Sequence, residues 1–170
     1  GGALTIIGHK TTAAGYQGIN INSAVKGASV AITGDSVGHY GVGIGTSGSV
    51  ESTIGDVTII GTGTGNTTMG TSNNAVGVQV RGNITAKGKL SITGTKVGSG
   101  GFQGVTFSDA KTMKGDSIEI TGTSNAWDAI TFTNTTFNAT KTLKVTADST
   151  AVGKGILFSG GSTNTFTADS

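Results

Sequence analysis

The chain contains no cysteine, which excludes a disulfide framework and any thiolate metal site. It contains no proline either. Charge is scarce: 12% of residues are Asp, Glu, Lys or Arg, and the net charge is +2. That balance is too small to argue for a nucleic-acid partner. A disordered chain would carry more charge and fewer β-branched residues. No apolar run approaches the ~18 residues of a membrane-spanning helix. Few segments show a 3.6-residue period, so helices are expected to be rare. What remains is glycine, 31 of 170 residues, among many Thr, Ser, Asn, Val and Ile. This composition fits one domain of short strands joined by tight turns.

The stretch from Asn83 to Phe107 shows the unit. Leu90 and Ile92 alternate with Ser91 and Thr93, and Val105 and Phe107 flank Thr106. A period of two puts apolar groups on one face and hydroxyls on the other. Ile84 marks a third, weaker strand. One such unit cannot bury its apolar face alone, so copies are needed above and below. One anchor recurs as Ile6, Ile32, Ile59, Ile92, Ile120 and Val145, with spacings of 26, 27, 33, 28 and 25 residues. A second recurs as Ile21, Ile44, Val80, Phe107, Phe132 and Phe158. The long third spacing is absorbed by a Gly- and Asn-rich turn from about Thr62 to Asn74, expected to protrude.

Three strands in each of about six coils of roughly 26 residues predict an all-β, right-handed, three-sided parallel β-helix, or β-solenoid. At about 4.8 Å per coil the rod is on the order of 30 Å long. Phe107, Phe132 and Phe158 are expected to stack directly. The third wall is the least regular, with Val25, Ile84, Met113, Phe137 and Phe166 as its inward residues. A seventh coil is expected to begin at Asn164-Thr165-Phe166. The sequence has no initiator Met and no capping helix, so residues 1–170 read as a single solenoid segment, a slice of a longer rod.

Tandem units of the form Lys-Gly-x-Leu-x-Ile-Thr-Gly-Thr…Gly-Val-x-Phe, preceded by Asn-Ile-Thr, resemble the repeat region of filamentous-haemagglutinin-like exoproteins. These are large bacterial β-helical adhesins exported by two-partner secretion. The resemblance covers nearly the whole chain and is one of repeat style, shared with autotransporter passengers. It implies a secreted stalk at the bacterial cell surface, with roles in cell adhesion and virulence. It implies as partners the neighbouring coils of the parent chain and a host or neighbouring-cell receptor or glycan. The family's secretion domain carries an Asn-Pro-Asn-Gly type motif, which a proline-free chain does not contain.

Candidate sites follow from the repeat positions. The nine acids are scattered rather than clustered; Asp56 and Asp116, both just before a first strand, are expected roughly 10 Å apart. His9 and His39 fall in different turns without a third ligand. Neither a catalytic centre, nor a metal site, nor a cofactor is expected. Lys26, Lys87, Lys114 and Lys141 each precede an anchor by four to six residues and are expected to line one edge. That edge could bind anionic glycans or act as a gatekeeper against lateral sheet pairing. Tyr16, His39, Phe102 and Trp127 each stand three residues before a second strand, with Ala75 and Gly153 there in other coils. Aromatics in such a row, with Tyr40 beside them, could stack on sugar rings or pack a corner; Trp127 is expected to be the most exposed. Sequons begin at Asn66, Asn83, Asn134 and Asn138 and read either as glycosylation acceptors or as turn and ladder residues. Thr-x-Thr pairs such as Thr93-Thr95 and Thr121-Thr123 raise ice binding, but Ile7-His9, Thr33-Asp35 and Ile60-Thr62 interrupt the grid.

The sequence thus predicts a non-enzymatic structural and adhesive rod segment. The alternative is a glycan-binding solenoid such as a phage tail fibre or autotransporter passenger, and the third reading is an ice-binding solenoid. Neither nucleic-acid binding nor membrane insertion is expected.

Overall fold

A computed structural model describes residues 1–12, 16–65, 75–100, 102–109, 111–150, 153–159 and 163–168, and all regular structure there is β-strand. The first coil is β1 (Leu4–Lys10), β2 (Ile19–Ile21) and β3 (Ala24–Gly27). The second is β4 (Val30–Val37), β5 (Val42–Ile44) and β6 (Ser49–Ser52), and the third β7 (Val57–Thr64), β8 (Val78–Val80) and β9 (Asn83–Thr85). The lower coils are built from β10 (Lys89–Val97), β11 (Val105–Phe107), β12 (Thr112–Ser124), β13 (Ile130–Phe132), β14 (Thr136–Ser149), β15 (Ile156–Phe158) and β16 (Thr165–Ala168). Every pairing between them is parallel. The molecule is a β-solenoid whose six rungs are joined by about five turns of about 27 residues.

Three walls enclose the core. The first is β1, β4, β7, β10 and the later halves of β12 and β14. The second is the six-stranded sheet β2, β5, β8, β11, β13, β15. The third is β3, β6, β9, the opening residues of β12 and β14, and β16. First and third walls belong to one sheet because β12 and β14 round their shared corner without a break, with a bulge between Gly115 and Ser117.

The two anchor columns lie in register as read from the sequence: Ile6 through Val145 on the first wall, Ile21 through Phe158 on the second. Residues in the middle rungs, such as Ile59, Ile92, Val80, Phe107 and Phe132, are fully buried. The third column is Val25, Val50, Ile84, Met113, Phe137 and Phe166. Val50 completes the expected column, standing between Val25 and Ile84. Phe107 and Phe132 stack at 5.3 Å and Phe132 and Phe158 at 5.4 Å between centroids, as expected. Phe137 and Phe166 form a second stack at 5.1 Å, edge-on to the first.

Two boundaries differ from expectation. Thr165–Ala168 pairs with the start of β14 and closes the sixth coil rather than opening a seventh. Strand β7 continues through Thr64, because Thr62 to Thr64 pair with β4 and β10, so the enlarged turn starts later than Thr62. Its residues 66–74 lie outside those described.

A column of glycines sets the corner between first and second walls. Gly8, Gly34, Gly61, Gly94 and Gly122 pair in succession, with Ala147 in the sixth rung. A Cβ on Gly94 would fall 2.1 Å from the Gly104 carbonyl oxygen, and one on Gly61 2.1 Å from that of Gly77. The second wall's backbone occupies the space a side chain would need.

Candidate functional site

On the outer face of the second wall the first three rungs differ in one respect. The register aligns Asn20 with Gly43 and Gln79. Two residues further along, Asn22, Gly45 and Arg81 follow the same rungs, since the Gly45 N–H donates to Ile21 O and the Arg81 N–H to Ile44 O. Rung two therefore has no outward side chain, whereas the rungs on either side carry carboxamides and a guanidinium. The result is a recess of about 270 Å³, with Gln17, His39 and Tyr40 on its flank. The His39 and Tyr40 rings meet edge-on at 4.1 Å. His39 Nδ1 is buried without a hydrogen-bond partner, and burial lowers the His39 pKa, favouring the neutral ring. Arg81 is held by Asp109 at 2.5 Å, and that bond holds the Asp109 carboxyl below its usual range. Asp109 has φ +71°, placing the carboxylate at the turn after β11.

Of the expected aromatic row, His39 alone lines this recess, together with Tyr40 beside it. Tyr16, Phe102 and Trp127 stand on the first-to-second-wall corner at 68%, 43% and 54% exposure, so Tyr16, not Trp127, is the most open. Gly153 packs directly on the Trp127 backbone, where a Cβ would come within 2.2 Å. The signal for the recess was present in the sequence. Outward positions of the second strand read Asn-Asn, Gly-Gly and Gln-Arg in the first three coils, a pattern that carries no aromatic residue.

The lysines do not form one edge. Lys26 and Lys114 share an outward column of the third wall, separated by Glu51 and Thr85. Lys26 binds Glu51 at 2.9 Å and Lys141 binds Asp116 at 2.9 Å, so acids interleave with the bases. The positions before the anchors fall partly on strand and partly on corner, so equal sequence offset does not give one column. Lys87 and Lys114, with Asn138, Thr140 and Asp116, do line a shallow groove of about 400 Å³ near the β12 bulge. Glu119 bridges two lysines, Lys89 at 2.5 Å and Lys144 at 3.3 Å. The Asp116 and Glu119 carboxyls are held below their usual range chiefly by the hydrogen bonds from Lys141 and Lys89 respectively.

The sequon residues split by role. Asn83 Oδ1 accepts the Thr112 N–H at 3.0 Å across a corner, and Asn134 sits at φ +52° in a turn. Asn138 points outward on β14 in the Lys114 column, and Asn66 lies outside the described residues. Asp56 is a corner acceptor for the Lys89 N–H at 2.7 Å, as Asp128 is for Lys154 at 2.8 Å. His9 meets Asp35 on the outer first wall. No group of three metal-ligating side chains occurs among the described residues.

A buried cation escaped the sequence reading. Lys96 is enclosed, and its Nζ donates to the carbonyls of Val97 at 2.8 Å and Gly98 at 2.7 Å, sealing the turn after β10. Burial lowers its pKa. Its column holds Ser36, Gly63 and Ser124 in the neighbouring rungs, so only a residue-by-residue register shows that Lys96 points inward.

The architecture places the chain in the class of parallel β-solenoids. Comparison with protein-family models, curated proteins and solved structures returns no match.

Proposed function

We propose that the chain is a structural and adhesive rod segment of a secreted bacterial surface protein, holding and displaying a binding surface toward host or neighbouring cells. The observation that carries this reading is the continuous register of three inward columns through six rungs. Each coil is pinned to the next by parallel ladders and by side chains that cap the following rung, as Asp56 and Asn83 do. Such stacking fixes side chains at regular vertical intervals and makes a stiff spacer. The ion pairs run along the rod, joining residues of different coils, and so add to longitudinal cohesion.

The glycan-binding reading draws support from the polar recess on the second wall. The ice-binding reading has less: the outward Thr pairs are complete in rungs four and five, while Ile7, His9, Asp35 and Ile60 occupy the same columns above.

The test is attachment. Beads coated with the purified chain are passed over epithelial and bacterial cell layers under flow. The adhesive reading expects saturable retention above that of albumin-coated beads, competed by soluble chain. Retention equal to albumin on every surface would remove it and leave only the spacer role.

A further inference from the structure

We propose that the recess on the second wall is a binding subsite for a neutral, hydroxyl-rich saccharide of one or two pyranose rings. This deepens the adhesive reading and rests on it for its biological meaning. The geometry begins with the Gly-Val-Gly-Ile-Gly run at 41–45. Val42 and Ile44 point into the core and are fully buried. Gly43 and Gly45 are the outward positions of the same strand and carry no side chain of their own into the recess. A Cβ on Gly43 would stand 3.3 Å from Tyr40 Cδ2 and 3.6 Å from Gln17 Cγ. A Cβ on Gly45 would fall 2.0 Å from Asn22 Oδ1. Tyr40, Gln17 and Asn22 therefore lean into the space above the glycines, burying Gly43 and half-covering Gly45, and the recess lies between these side chains.

The chemistry of the rim selects the ligand. Gln17, Asn20, Asn22 and Gln79 each offer a carboxamide with both donors and an acceptor. A sugar hydroxyl is also donor and acceptor at once, so vicinal hydroxyls match paired carboxamides. Tyr40 offers an aromatic surface of the kind that packs on the C–H face of a pyranose. His39 packs its ring edge-on against Tyr40 and so holds that aromatic surface in place at the flank of the recess. Charge argues against an anion: the Arg81 guanidinium is engaged by Asp109 and burial favours neutral His39. The recess volume of about 270 Å³ lies just under the usual range for drug-sized ligands, about 300–1,000 Å³, and suits a small saccharide.

The test uses the whole chain and defined probes: methyl glycosides of glucose, galactose, mannose and N-acetylglucosamine, with a sulfated disaccharide as the anionic probe. Binding is read by saturation-transfer NMR and titration calorimetry. At least one neutral glycoside is expected to bind and the sulfated probe to bind more weakly. Asn20→Ala and Gln79→Ala remove exposed groups outside the core, and each should weaken binding about five- to ten-fold, the worth of roughly one hydrogen bond. Gly43→Gln should fill the recess and abolish binding, while Trp127→Ala should leave it unchanged; circular dichroism confirms each variant is folded. Binding of none of the neutral glycosides overturns the subsite, as does binding lost in Trp127→Ala but kept in Asn20→Ala and Gln79→Ala. Bead attachment separates the two levels: attachment undiminished in Gly43→Gln keeps the adhesive reading and overturns the recess as its contact. Attachment lost together with glycoside binding supports both.

Discussion

The upper three coils and the lower three share one backbone register but are filled differently. In the upper half the second and third walls meet through Ile21, Ile44 and Val80 against Val25, Val50 and Ile84. In the lower half the same positions hold Phe107, Phe132 and Phe158 against Met113, Phe137 and Phe166. The rings form two parallel stacks that meet edge to face, as between Phe132 and Phe137 at 5.4 Å and 89°. Where the rings enter, the third wall flows into the first through the long strands β12 and β14. Above, β3, β6 and β9 end before the corner. The comparison teaches that register and filling are separately specified. The first-wall isoleucines and the corner glycines are common to both halves, while the other two columns are free to change size together.

The largest effect should come from the common element. Gly94→Val would drive its side chain into the Gly104 carbonyl, 2.1 Å from the first added carbon. Overpacking against backbone cannot be relieved by a rotamer change, and a loss of about 3 kcal/mol or more is expected in urea denaturation. Ala147 occupies the same column in rung six, and a Cβ on the facing Gly155 would come no closer than 3.8 Å to any neighbour. Ala147→Val should therefore cost far less. Equal costs at the two positions would remove the corner argument.

Next comes the filling. Phe132 is fully buried and touches four other rings, so Phe132→Ala should cost about 3–5 kcal/mol. Ile44→Val in the equivalent upper position should cost about 0.5–1.5 kcal/mol. A double-mutant cycle sharpens the contrast: Phe132 and Phe137 should show coupling of about 0.5–1.5 kcal/mol from edge-to-face geometry. Coupling near zero would mean that the rings act only as volume.

How much of this was legible follows from what repeats. The inward columns were readable because a period of two recurs five times in near-equal steps, and each copy corrects the alignment of the others. Lys96 was missed because lysine is not read as an inward residue, although it stands two positions after inward Gly94 on the same strand. The recess depended on Gly43 and Gly45, whose meaning lies in side chains they do not have and in neighbours 23 or more residues away. The lysine edge failed for a different reason. Distance from an anchor measures position along the chain, and at a corner it no longer fixes the column.

The smallest predicted effect again divides the two halves, this time by pH. Asp109, Asp116 and Glu119 have folded-state pKa values below their ordinary ones, through hydrogen bonds from Arg81, Lys141 and Lys89. For a depressed carboxylate the unfolded chain binds the proton more readily, so its contribution is complete above about pH 4 and disappears as pH falls through the folded value. His39 also has a depressed pKa, from burial, so the unfolded chain gains its proton first, below about pH 6.5. Its contribution is therefore full above that value and lost on acidification. Acid titration should accordingly weaken the His39 region at mildly acidic pH and the lower ion pairs only near pH 4 and below. Amide exchange can separate them: protection around β5 should fall as the pH drops below about 6.5, and His39→Gln should abolish that fall. Protection around β12 should hold until the carboxylates protonate, and Glu119→Gln should flatten its acid dependence. A single common transition, unchanged in both variants, would show that the halves titrate as one body.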